Sequence, residues 1–78
     1  MKIGTVIGAV WSTKKVAGLT GYSLLTVQVD SGVLVAVDFV GAGVGDPVLI
    51  LTGGAARMGD ANLPVDAAIV GIMDSQGV

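Results

Sequence analysis

The chain has 78 residues, no cysteine, no histidine and a net charge of −2, which makes it one domain, residues 1–78, with no disulfide and no histidine or cysteine to hold a structural metal. Hydrophobic residues make up 53% and charged residues 13%; with glycine counted, roughly two-thirds of the chain is apolar, against about 45–50% in an average domain. A core this small cannot hide that much, so the excess is assigned to contacts between subunits and an obligate oligomer is expected.

Residues 2–11 alternate, with Ile3, Thr5 and Ile7 on one face and Gly4, Val6, Gly8 and Val10 on the other. Both faces are apolar, as in a strand held between a core and a neighbour. The Met1-Lys2 start imitates a signal peptide, but the run that follows lacks a small-x-small cleavage site and meets Lys14-Lys15. It reads as the first strand of a cytoplasmic protein. Residues 12–21 are polar and are expected to form a mobile loop. The longest charge-free stretch, residues 16–29, is too short to span a membrane and carries Thr20, Ser23, Thr26 and Gln28.

A second strand is expected at residues 24–30. The turn Asp30-Ser31-Gly32 leads from it into a third at residues 33–40, forming a hairpin. A fourth strand covers residues 47–52, and Pro47 stands first, where a missing N–H costs no ladder bond. Residues 53–58 suit one helical turn, residues 61–64 a connector, and residues 67–74 a fifth strand. Short, closely spaced strands with glycine turns predict an all-β fold, a small five-stranded OB-like β-barrel with one short helical turn.

The run VGAGVGDPVLILTGGAAR, residues 40–57, invites comparison with a phosphate cradle. Gly41 and Gly43 match the first two glycines of a dinucleotide fingerprint, but Asp46 stands at the third, where a carboxylate would repel a pyrophosphate. A strand rather than a helix follows, and no lysine-serine or lysine-threonine pair closes a Walker loop. Gly41, Gly43 and Gly45 are therefore expected to supply positive φ angles for a tight loop between two strands.

All six acids are aspartates, Asp30, Asp38, Asp46, Asp60, Asp66 and Asp74. Most fall at expected strand ends or turns, where aspartate bonds local main-chain amides rather than serving acid–base chemistry. A hydrolytic triad is excluded, and no serine stands in a nucleophile elbow. No catalytic residue, cofactor or metal is assigned. Four cations, Lys2, Lys14, Lys15 and Arg57, and three aromatic residues make no phosphate track with stacking platforms, which argues against nucleic acid. Arg57 has two readings: a salt bridge to an aspartate such as Asp66, within or between subunits, or a charge shaping an oligomer's axial opening. Trp11 and Phe39 are read as core or interface residues.

The same run resembles the signature of the bacterial microcompartment vertex proteins, the pentameric EutN/CcmL shell family of carboxysomes and metabolosomes. That signature is a GAGxGExVLV-like run followed by GSAAR or GSSAR. MKIGTVIGAVWSTKK is similar to the family's opening strand and LTGYSLLTVQ to its second, where a lysine often stands at the place of Ser23. VAVDFVGAG and PVDAAIVGIMD resemble its third and last strands. Asp46 replaces the usual glutamate and keeps its charge; Gly54 replaces the usual serine and removes a hydroxyl near the expected pore. The resemblance implies an OB-like barrel, a homopentamer and a structural, non-enzymatic role as the corner tile of a shell in the cytoplasm. It also implies hexameric shell proteins as partners, because six-fold tiles alone make flat sheets and closure needs five-fold corners. Gly53, Gly54, Ala55, Ala56 and Arg57 are the expected pore or inter-subunit contacts. Two other readings of the residues remain: an OB-like module binding a small ligand or single-stranded nucleic acid, and a non-catalytic accessory subunit of an enzyme.

Overall fold

β-branched and apolar residues at alternate positions build five strands, β1 (Lys2–Ala9), β2 (Ser23–Val29), β3 (Gly32–Asp38), β4 (Pro47–Thr52) and β5 (Ala67–Ile72). The structure is a computed structural model that describes residues 1–10, 17–19, 21–57 and 65–74. The strands close into a barrel in the order β1-β2-β3-β5-β4. All neighbours are antiparallel except β3 and β5, which run parallel and meet at Val37↔Ala68 and Asp38↔Ile69. The all-β, five-stranded barrel expected from the sequence is the fold observed.

Alternation decides which side chains enter the barrel. On β1, Gly4 and Val6 are buried while Ile3, Thr5 and Ile7 face outward. Val6, Val27, Val48, Ile50 and Ile69 fill the interior together with Leu25, Val29, Ala36 and Ala67. Each fully buried valine or isoleucine contributes about 1.5–3 kcal/mol relative to exposure. A second cluster lies on Val37, Ala56 and Ala68, with Tyr22, Leu24, Phe39 and Val65 packed against it. Tyr22 and Phe39 meet there edge to face, ring centroids 6.0 Å apart and planes at 88°.

The expected hairpin is β2–β3, paired from Ser23↔Asp38 to Val29↔Gly32, with Gly32 at a φ of 137°. Pro47 does open β4, and its carbonyl accepts from Met73 N at 2.8 Å. Some boundaries differ. The β1–β2 register shifts between Val6 and Gly8, and β1 ends at Ala9 rather than at residue 11. β3 ends at Asp38 rather than at residue 40 because the Asp38 carboxylate turns the following amides out of the ladder. The helical turn is a 3-10 turn, Gly53–Arg57. Within the polar stretch expected as a loop, Ala17–Leu19 form another 3-10 turn. Trp11, Met58, Asp60, the connector 61–64 and most of the loop 12–21 lie outside the described residues.

Candidate functional site

Two segments singled out in the sequence, the glycine loop and the Gly53–Arg57 turn, can be built from their hydrogen bonds upward. In the glycine loop, the Asp38 carboxylate accepts from three successive amides: Val40 N at 3.0 Å and Gly41 N at 3.1 Å on Oδ1, and Ala42 N at 2.9 Å on Oδ2. Asp46 Oδ2 accepts from Gly43 N at 2.8 Å, and Asp46 N donates to the Gly43 carbonyl at 3.0 Å. The loop is tied to β1 by Gly45 N donating to Val6 O at 2.8 Å and Val6 N donating to Asp46 O at 3.0 Å.

Amides that would face a phosphate in a cradle are thus turned onto the chain's own carboxylates. Gly41 and Gly45 have φ of 80° and 94°, as a tight loop requires, whereas Gly43 stays outside the left-handed region. Two of the three glycines carry the positive φ expected of all three. Nothing in the local pattern distinguishes Gly43, whose place is set by its two bonds to Asp46. Asp38 and Asp46 thus do what was expected of most of the aspartates, accepting from local main-chain amides; the number of amides that Asp38 gathers is set by the loop geometry.

The Gly53–Arg57 turn closes the outer cluster. Gly53 takes a φ of 66° and its N–H donates to Asp66 O at 2.7 Å, tying the turn to the start of β5. Ala56 is the one buried residue of the turn and packs on Val37 and Ala68. Gly53, Gly54, Ala55 and Arg57 are exposed. The Arg57 guanidinium folds back toward Gly54, with Nη2 3.7 Å from where a Cβ on Gly54 would lie. Among the described residues no ion pair joins Arg57 to Asp66 within one chain; Asp66 engages the turn through its main chain instead. Phe39 packs in the outer cluster, and no three carboxylates among the described residues gather around a point where one ion could bind. An open groove of about 600 Å³ lies between Met1–Ile3 and Val29–Ser31, with Lys2 and Asp30 among its walls.

Comparison with known proteins places this barrel. The family described as "Ethanolamine utilisation protein EutN/carboxysome" matches residues 1–74. The carboxysome shell vertex protein CcmL of Synechocystis sp. is 42% identical over 100% of this chain and 87% of its own length. The structure of CcmL from Nostoc sp. superposes with a TM-score of 0.89 at 44% identity, covering 96% of this chain and 90% of that one. GrpN, the pentameric microcompartment shell protein from Rhodospirillum rubrum, superposes with a TM-score of 0.87 at 40% identity, covering 100% of this chain and 98% of that one. Sequence, barrel topology and full-length superposition agree, and the chain belongs to the EutN/CcmL family of microcompartment shell vertex proteins.

Proposed function

We propose that this chain is a structural protein that forms, as a homopentamer, the five-fold corner of a bacterial microcompartment shell, seated among hexameric shell proteins. The observation that carries the reading is the family match across residues 1–74. The outward apolar side chains, which a lone barrel leaves in water, support it: Ile3, Ile7, Val33, Val35 and Ile72 among them. The role is non-catalytic. The loop aspartates Asp38 and Asp46 hold main-chain amides, so they serve structure rather than proton transfer.

Gly53, Gly54, Ala55 and Arg57 present a surface of main chain and one positive charge, anchored from inside by Ala56. In a ring of five such copies this turn forms the axial opening or the contact beside it, and Arg57 supplies its charge. Native mass spectrometry tests the assembly: a pentamer is expected at micromolar concentration, and a monomer or dimer overturns the reading. In the host, deletion should leave elongated or leaky shells while the enclosed enzymes keep their activity in lysate. Normal closed shells in a strain with no second vertex homologue would count against the corner role.

A further inference from the structure

Asp46 is followed by Pro47, and the peptide bond between them joins the glycine loop to the first residue of β4. An aspartyl–prolyl bond is among the peptide bonds that acid breaks most readily, for two chemical reasons. The aspartate side chain has the length that closes a five-membered ring on its own main-chain carbonyl, an attack favoured because it is intramolecular. The proline amide is tertiary, and its nitrogen, more basic than that of an ordinary peptide, takes a proton and leaves as a secondary amine.

The fold sets this bond up for such an attack. The Asp46 carbonyl oxygen accepts from Val6 N at 3.0 Å, so a donor already in place polarises the carbon that would be attacked. Asp46 Oδ2 accepts from Gly43 N at 2.8 Å, while Oδ1 makes no hydrogen bond with another described residue. Pro47 has no N–H, so releasing its nitrogen breaks no ladder bond. Asp46 and Pro47 are both half-buried and so within reach of water. The charged groups on the elements around Asp46 are Asp38 at the start of the loop, bonded to Val40, Gly41 and Ala42, Lys2 at the far end of β1, opposite Ile50, and Asp74 just past β5. Among the described residues none of them pairs with Asp46.

We propose that Asp46–Pro47 is a self-scission site, cut in the folded protein under mild acid by the side chain of Asp46. A carboxylate oxygen of Asp46 bonds to the Asp46 main-chain carbonyl carbon, and the carbon–nitrogen bond to Pro47 breaks. The bonding pair stays on the nitrogen, which takes a proton from the acid medium. The succinic anhydride left at Asp46 then adds one water and opens to two carboxyl groups. The event happens once per chain, with water as its co-reactant. The cut falls outside every strand. β4 stays paired with β1 from Lys2↔Ile50 to Thr5↔Pro47 and with β5, and the loop stays tied to β1 through Gly45 N and Val6 O. The product is a nicked barrel of two fragments, residues 1–46 and 47–78, with β4 and β5 held by noncovalent contacts alone. Scission needs no second copy of the chain and is independent of the pentamer.

Intact-mass spectrometry of the purified chain tests this, after incubation at a mildly acidic pH where circular dichroism shows the barrel intact. The two fragments 1–46 and 47–78 are expected, and size-exclusion chromatography should keep them together until urea is added. Asp46→Glu keeps the carboxylate but closes only a six-membered ring; Pro47→Ala keeps Asp46 but offers a less basic nitrogen. Both variants are expected to stay whole over the time in which the wild type is cut. They alter the two ends of one bond, so if one fails to fold the other decides. A wild-type chain that is cut only in urea shows that the fold protects the bond and overturns the proposal, as does a chain that is never cut. Fragments that separate without denaturant overturn the nicked barrel. A folded variant cut as fast as the wild type overturns the attack by the Asp46 side chain.

Discussion

Gly4 lies against Val27 so closely that a Cβ on Gly4 would sit 2.6 Å from Val27 Cγ1, and it would also come within 2.8 Å of the Gln28 carbonyl oxygen. β1 and β2 can approach this far only because one of them lacks a side chain at the crossing, and the main-chain oxygen cannot move aside as a rotamer could. Gly4→Ala is therefore expected to destabilise the fold by about 1–3 kcal/mol through overpacking, read as a lower melting temperature. Gly8→Ala is the matched control on the same strand: nothing lies within 4 Å of its Cβ position, and a change within about 0.5 kcal/mol is expected.

Asp38 holds three amides with one carboxylate. Asp38→Ala leaves those donors without their acceptor and is expected to cost about 1–3 kcal/mol. Hydrogen exchange at Val40, Gly41 and Ala42 should rise with it. Asp38→Asn keeps one carbonyl oxygen and should fall between the two. Unchanged exchange at all three amides in Asp38→Ala would show that the carboxylate does not order the loop.

The three loop glycines are expected to behave differently from one another. Gly41→Val and Gly45→Val place a β-branched side chain at φ of 80° and 94°, a strain of about 1–3 kcal/mol each. Gly43→Ala meets only Asp46 Oδ2 at 3.8 Å, an ordinary contact, and should melt with the wild type. Equal melting temperatures for all three would refute the distinction.

Arg57 is exposed and makes no ion pair with another described residue. Arg57→Ala is accordingly expected to leave the unfolding free energy of the barrel within about 0.5 kcal/mol. Its effect should appear in the assembly, as poorer restoration of closed shells when the variant is returned to a deletion strain. A large loss of barrel stability would mean that the arginine serves the single subunit instead.

Much of this architecture was legible in the residues. Period-two alternation put Gly4 and Val6 on one face of β1 and Ile3 and Ile7 on the other, but with both faces apolar it did not say which enters the barrel; Asp30-Ser31-Gly32 marked the hairpin; Pro47 marked the start of β4. What stayed hidden depends on distances between elements far apart in the chain. Alternation shows that Gly4 shares a face with Val6, not that this face is the inner one or that Gly4 touches Val27. Residue types cannot show that β3 and β5 pair at only two positions, or that the register slips at Ile7. The Gly53–Arg57 turn was placed correctly, but the burial of Ala56 follows from packing on Val37 and Ala68, residues that only the closed barrel brings to it.

The parallel seam between β3 and β5 also has a temporal consequence. β1, β2 and β3 can pair in the order in which they are synthesised, because each is joined to its partner along the chain. The seam joins residues far apart in sequence, and such contacts form late because the intervening chain must first be ordered. Until β5 arrives, Val48 and Ile50 on β4 lack their neighbour Ile69 in the core. A ribosome-bound or truncated copy that stops before β5 thus carries a barrel open along one side. Only that strand seals the interior from water.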